Sequence, residues 1–244
     1  MLTNFIYNWW KWIVGLFIPV ALAATITPIA DSQINPYTDK VDRLAISRMS
    51  SIPDAGLVET ELVKARPEIR LKKWNGEVNL GIRYDGIQAS GNRSLLTNRM
   101  EWKDAKREVH AYPLDAKEGM EDGGFEIEIV LTEKPATNKF DFTIDGAENL
   151  DFFYQPALSQ QEIDEGASRP ENVVNSFAVY YSKSNHITGQ VNYATGKFLH
   201  IYRPKITDAN GNWIWGELSY DNAGTLSITI DKEWLNTAVY PVIF

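Results

Sequence analysis

Glu68-Ile69-Arg70-Leu71-Lys72-Lys73-Trp74-Asn75-Gly76-Glu77-Val78-Asn79-Leu80-Gly81-Ile82-Arg83-Tyr84-Asp85-Gly86 reads as a β-hairpin. Ile69, Leu71 and Lys73 alternate with Glu68, Arg70 and Lys72, which is the period of a strand with one wet and one dry face. Asn75-Gly76 supplies the positive φ angles that a two-residue hairpin turn needs. Val78, Leu80, Ile82 and Tyr84 then fall on one face of a return strand, which Asp85-Gly86 ends.

The same pattern continues along the chain. Strands are predicted at Met100 to Trp102, Glu108 to Leu114, Phe125 to Leu131 and Phe140 to Ile144. The clearest places Phe125, Ile127, Ile129 and Leu131 inward, with Glu126 and Glu128 toward water. Five more are predicted at Ser176 to Ser182, Lys197 to Ile206, Trp213 to Tyr220, Thr225 to Ile230 and Val239 to Phe244. Arg203-Pro204 marks an edge or a strand end, since proline cannot donate to a ladder. Asn210-Gly211 reads as a hairpin turn. About ten short strands with almost no helix predict an all-β, antiparallel β-sandwich, either one elongated sandwich or two abutting ones.

Helical signals are few. Ser159 and Glu162 have capping-box spacing, and Asp231 is placed to cap a single turn through Trp234. Val41, Leu44, Ala45 and Arg48 predict a short helix around Thr38 to Met49. The domain reading that results is a β-sandwich part at 57–155, a loop with one short helix at 156–172, and a second sandwich part at 173–244, preceded by a linker or N-terminal arm at 24–56.

Residues 1–23 carry an address instead of a fold. Lys11 precedes the uncharged run Trp12 to Ala23, ending Ala21-Leu22-Ala23, the arrangement of a secretory signal peptide. The uncharged stretch continues to Ala30, so a retained hydrophobic helix anchoring the chain in a membrane is the other reading. Either implies an extracellular or cell-envelope location, with membrane contact only through this segment.

Composition removes several classes of function. The 244 residues contain no cysteine, which excludes disulfides, thiol nucleophiles and cysteine-rich zinc sites. A net charge of −8 argues against nucleic acid as a partner, because phosphate affinity rests on clustered cations. The local basic spots at Lys72-Lys73 and Lys103 to Arg107 read as solvated strand faces. Phosphate-loop, dinucleotide, zinc-protease and serine-elbow motifs are absent, and nothing implies a cofactor. His110 and His200 lie in predicted strands, where a core-edge or backbone bond is the ordinary role, and His186 lies in a polar loop.

Asp208 in Asp208-Ala209-Asn210-Gly211-Asn212 is the one candidate metal ligand, but the spacing does not match a calcium loop, whose bidentate Glu would fall at Ser219. Glu126, Glu128 and Glu217 are the acids a glycan-cleaving enzyme would draw on, and would have to converge on one cleft. The richer signal is aromatic. Phe152-Phe153-Tyr154, Tyr180-Tyr181, Tyr202, Trp213, Trp215 and Tyr220 crowd the second half. Trp213 and Trp215 share a face, which favours core anchors; if instead exposed and coplanar they would form, with Tyr202, a glycan-binding platform.

Arg169-Pro170-Glu171-Asn172-Val173-Val174, Ser176-Phe177-Ala178-Val179-Tyr180, Gly196 through Lys205, and Ala238-Val239-Tyr240-Pro241-Val242-Ile243 together resemble a β-rich module of large secreted, cell-surface and phage-associated proteins. The closing Tyr-Pro-Val segment is similar to that of wall-associated and Rhs-type repeat proteins, where the chain runs on into a further β domain. The resemblance covers residues 60–244, is strongest at the C-terminal end, and brings no catalytic residues with it. By that pattern a chain stopping at Phe244 leaves an incomplete edge inviting strand addition.

The expected function is an exported, non-enzymatic structural or adhesive module whose partners are neighbouring β modules or envelope or virion proteins. A carbohydrate-binding module taking a glycan on Trp213, Trp215 or Tyr202 is the alternative, and the glycan-cleaving enzyme is the third reading.

Overall fold

The computed structural model of the chain describes residues 41–44, 59–74, 78–94, 99–114, 124–182, 185–188, 191–194, 196–221 and 223–244. All of them lie in the unit Pro36–Phe244. The expected leader, most of the linker and the Asn75-Gly76 turn fall outside the described residues.

In chain order the strands are β1 (Val41–Leu44), β2 (Glu59–Val63), β3 (Glu68–Lys73), β4 (Val78–Tyr84), β5 (Asn92–Ser94), β6 (Arg99–Lys103), β7 (Arg107–Leu114), β8 (Gly124–Leu131), β9 (Lys139–Asp145) and β10 (Leu150–Gln155). Helix α1 (Gln160–Asp164) intervenes, followed by β11 (Ser176–Tyr181), β12 (Asn185–Thr188), β13 (Val191–Ala194), β14 (Lys197–Ile201), β15 (Lys205–Thr207), β16 (Trp213–Trp215), β17 (Glu217–Tyr220) and β18 (Thr225–Thr229). Helix α2 (Lys232–Thr237) and β19 (Val242–Ile243) close the chain.

The chain is all-β and its strands pair antiparallel, as expected. One seven-stranded sheet has the order β1-β2-β3-β4-β9-β18-β17 and another the order β16-β15-β19-β8-β7-β6-β5. A three-stranded sheet, β10-β11-β14, and the β12-β13 ribbon complete the set. The hairpin read from residues 68–84 is present, with Ile69 opposite Ile82 and Leu71 opposite Leu80.

One apolar core joins the sheets. Leu62, Ile69, Leu80 and Phe142 from the first large sheet and Met100, Trp102, Val109, Ile129 and Val242 from the second are buried in the same cluster. Polar ties cross between them: Trp102 Nε1 donates to the Lys64 carbonyl at 3.1 Å, and Arg107 Nη1 to the Tyr84 hydroxyl at 3.4 Å. The Phe140 and Phe244 rings meet at 4.8 Å. Trp74, at the end of β3, packs on Tyr181 and Phe198 and so carries the core on to the small sheet.

Strands from either side of residues 156–172 lie together in both large sheets: β9 sits between β4 and β18, and β19 between β15 and β8. Two abutting halves divided at that segment do not describe these pairings. Nor is the last strand an open edge, since Phe244 exchanges both backbone bonds with Ile129 at 2.7 and 3.0 Å and is buried. The edges of that sheet are β16 and β5.

Two predicted strands are each divided. Pro204 separates β14, in the small sheet, from β15 in a large one, because its missing N–H cannot continue the ladder. Gly216 separates β16 from β17 in opposite large sheets. At that corner a Cβ would come within 3.0 Å of Pro204 Cγ and 3.1 Å of Ile206 Cδ1, so the chain turns where only hydrogen fits easily.

Both caps read from the sequence are formed. Ser159 and Glu162 close a reciprocal capping box on α1, and the Asp231 carboxylate accepts from Trp234 N at 2.7 Å on α2. The helix expected around Thr38 to Met49 is corrected by β1, whose residues pair with β2. Pairing with a neighbouring strand overrides a short helical pattern, which nucleates poorly alone. His186, expected in a loop, lies in β12 opposite Tyr193.

Candidate binding site

The three-stranded sheet turns its two faces to different environments. Leu150, Phe152 and Tyr154 on β10 pair with Tyr181, Val179 and Phe177 on β11, and this face packs inward except at Tyr154, which is 47 % exposed, with Phe152 stacked on Tyr220 at 3.9 Å. The alternate residues form the outward face in cross-strand rows. Asp151, Tyr180 and Lys197 make one row, and Phe153, Ala178 and His200 the next. Gln155 pairs with Ser176 beyond them. An irregularity between Val179 and Tyr180 shifts the β11–β14 register at this point.

Together these residues, Ser176 excepted, line an open cleft of about 670 Å³ with Val173, Tyr181 and Tyr202. Its floor is small at Ala178, which is 6 % exposed. Phe153 and Tyr180 stand above it at 51 % and 38 % exposure, their rings edge to face at 5.6 Å. Tyr202 adds a half-buried ring against the His200 imidazole at 4.5 Å.

His200 is held neutral at ordinary pH: burial, reinforced by the nearby Lys197 charge, pushes its pKa down to about 4. Ser176 Oγ donates to the Val173 carbonyl at 2.5 Å and lies 2.6 Å from His200 Nε2. A hydroxyl has one proton to give, so Nε2–H donates to Oγ and the lone pair sits on Nδ1. This pair is not a nucleophile with its base, because the serine is covered and the imidazole is the donor.

The residues singled out in the sequence are dispersed. Tyr202 lines the cleft, but Trp213 and Trp215 lie on β16, an edge strand of a large sheet. They are not core anchors: Trp213 is 44 % exposed and Trp215 half-buried, while Ile206 is buried behind them. Nor are they coplanar, since their rings meet at 80°. Each is covered by a cation, with Lys205 over Trp213 at 4.5 Å and Arg203 over Trp215 at 5.4 Å. Trp215 Nε1 also donates to Glu171 at 2.7 Å. The face missed in the sequence belongs to β10, whose aromatic residues point both ways and so show no clean alternation.

Asp208 is corrected as a metal candidate. Its carboxylate accepts from the backbone N–H groups of Asn210 and Asn212 at 2.9 Å, from Asn212 Nδ2 at 3.1 Å and from Val239 N at 3.3 Å. Burial alone would raise its pKa, but the bonds from Asn212, Val239 and Asn210 outweigh that and hold it low. Its lone pairs are committed to closing the β15–β16 hairpin, where Gly211 takes a φ of 82°. Among the described residues no group of His, Asp and Glu is arranged to hold a metal ion.

Glu126 and Glu128 lie on β8, and Glu217 lies on β17 of the other large sheet. Glu128 is engaged in a polar cluster instead of facing open water. His110 Nδ1 is 2.7 Å from Glu128 Oε1, and Tyr112 OH donates to Oε2 at 3.1 Å. His110 Nε2 is 3.3 Å from Glu108 Oε2, so the imidazole binds side chains and not the backbone. Burial first, then the charges of Glu126 and Glu128, raises the Tyr112 pKa.

The bonds from His110 and then Tyr112, against burial, hold Glu128 below its ordinary 4.5. A depressed carboxylate stabilises the fold above its unfolded pKa and loses that contribution as pH falls through the folded one. Glu128→Gln is therefore expected to melt below wild type at pH 7, with the gap closing as pH drops below about 4.5. Thermal unfolding from pH 7 to 3 reads this directly; a constant gap would contradict it.

The basic spots are occupied locally. Lys72 pairs with Glu61 at 2.8 Å, Lys106 with Glu133 at 2.8 Å and Arg107 with Asp104 at 3.2 Å. No helix of the described residues is long and apolar enough to cross a membrane.

No protein-family model, curated protein or solved structure matches the chain. Fold and cleft therefore define its class by geometry alone: an antiparallel all-β chain with an aromatic-walled cleft on the outward face of its three-stranded sheet.

Proposed function

We propose that the chain is an exported, non-enzymatic adhesive β-sandwich module of a cell envelope or virion, making its contact through the outward face of β10, β11 and β14. The observation that carries this reading is the exposed Phe153–Tyr180 pair above the small side chain of Ala178. Large apolar rings gathered in water at one concave place are a feature of contact surfaces. The sheet behind them is tied to the core through Trp74, so the rings are held and need little ordering on binding.

Export is supported by Lys11 and the uncharged run ending Ala21-Leu22-Ala23. The resemblance of residues 169–244 to modules of secreted, wall-associated and phage-associated proteins points to the same setting. Neighbouring β modules or envelope proteins are the partners proposed in the assembly, with no nucleic acid and with the membrane reached only through the N-terminal segment. A passive mechanism is supported by the ways in which Ser176, His200, Glu128 and Asp208 are already satisfied within the fold.

The test is binding of the full chain to immobilised envelope polysaccharide, envelope protein and anionic lipid vesicles, wild type against Phe153→Ala/Tyr180→Ala. Loss of about 1–1.5 kcal/mol per ring predicts at least tenfold weaker retention of whichever material binds. Both rings are exposed, so the melting temperature is expected to stay within a few degrees of wild type. Retention unaffected by the double substitution would contradict the assignment of this face.

A further inference from the structure

Resting on that reading of the face, we infer that the cleft takes a neutral oligosaccharide, one pyranose ring lying on Phe153 or Tyr180 with its hydroxyls toward Asp151, Lys197, Gln155 and His200. The cleft offers two kinds of surface in one place. Phe153 and Tyr180 are both exposed and their ring planes stand 84° apart, forming a corner against which a flat C–H surface can stack on one ring and abut the other. Around that corner the polar groups are mixed: the Asp151 carboxylate accepts, Lys197 donates, Gln155 does both, and the neutral His200 keeps one nitrogen as an acceptor.

A sugar ring matches this pairing because it carries apolar C–H faces and an equatorial belt of groups that both donate and accept. Other occupants match it less well. An apolar peptide side chain would cover the rings but take water from the charged Asp151 and Lys197 without replacing its hydrogen bonds, which is costly. A bilayer would have to accept the Asp151 carboxylate at its surface. Polyanions are disfavoured because Asp151 and Lys197 flank Tyr180 in one cross-strand row, one charge of each sign, on a chain of net charge −8. That balance is the basis for choosing a neutral glycan over an acidic one. The open shape suits a chain passing through more than a small molecule enclosed within.

The test is isothermal titration calorimetry of the full chain with soluble tetra- to hexasaccharides: neutral gluco-, galacto- and N-acetylhexosamine oligomers, with sulfated and uronic-acid oligomers as the charged set. The expected result is saturable binding of at least one neutral oligomer. Phe153→Ala and Tyr180→Ala should each weaken it about five- to twelvefold, and Trp213→Ala should leave it unchanged. If only charged oligomers bind, or none do while envelope protein or vesicles bind in a manner sensitive to Phe153→Ala, the glycan assignment is overturned and the contact face stands. If a neutral oligomer binds with full affinity to both single variants, or if no material at all shows sensitivity to these rings, the face itself is wrong.

Discussion

Trp102→Ala is expected to destabilise the protein by about 3–5 kcal/mol, the range for removing a buried indole. Trp102 has 0 % exposure on β6, in the second large sheet, and its Nε1 donates across the core to the Lys64 carbonyl between β2 and β3. Gly91 N donates to the same carbonyl at 2.6 Å, and a Cβ at Gly91 would lie 2.6 Å from Nε1. Ring, carbonyl and glycine thus form one close-packed junction between the large sheets, and the alanine would leave a void there that neighbours held by ladder hydrogen bonds cannot refill. Urea unfolding measures the loss. Trp213→Ala, on the exposed edge strand, is the internal comparison and is expected to cost less than about 1 kcal/mol. A Trp102→Ala loss as small as that of Trp213→Ala would contradict the placement of the junction.

The second large effect concerns a charge. Glu68 on β3 is at 0 % exposure, yet it lies on the polar side of the hairpin, opposite Arg83. Arg66 Nε reaches its Oε2 at 2.5 Å and Arg70 Nε its Oε1 at 2.6 Å, while both guanidinium side chains remain about 40 % exposed. The pair is therefore asymmetric. Removing the carboxylate, as in Glu68→Gln, leaves two arginines that water can still solvate. Removing the cations, as in Arg66→Ala/Arg70→Ala, deprives a covered carboxylate of its nearest partners and is expected to cost about 3–5 kcal/mol. Denaturant unfolding of the two variants at pH 7 should rank the double arginine variant well below Glu68→Gln; the reverse order would mean that the arginines do not compensate this charge.

Much of the fold was legible because a half-buried antiparallel strand writes its two faces into alternate residues. The hairpin at 68–84, the strand at 125–131 and both helix caps could be read in that way. What alternation does not record is which sheet a strand joins. Text that continues in period two through Pro204 and Gly216 reads as one strand, although the chain changes sheets at each. The candidate site was only partly legible for a related reason. Leu150–Gln155 carries Leu150 and Phe152 inward, Phe153 outward and Tyr154 half in water at the strand end, so its apolar run does not mark which rings are exposed. For Trp213 and Trp215 the shared face was readable but not its direction; Ile206 and Ile214 supply the other face of that hairpin, and the indoles are sheltered by Lys205 and Arg203 instead of by the core. Asp208 illustrates the remaining gap, because a carboxylate beside Asn and Gly has the same sequence whether its lone pairs meet a cation or the N–H groups of its own turn.

The location of the contact surface is the claim on which the functional account rests, and hydroxyl-radical footprinting of the full chain with and without a retained envelope polysaccharide addresses it residue by residue. The account predicts that oxidation of Phe153, Tyr180 and Tyr202 falls on binding while that of Trp213 does not change. Protection at Trp213 and Trp215 with Phe153 and Tyr180 still fully reactive would move the contact to the β15–β16 edge and contradict it.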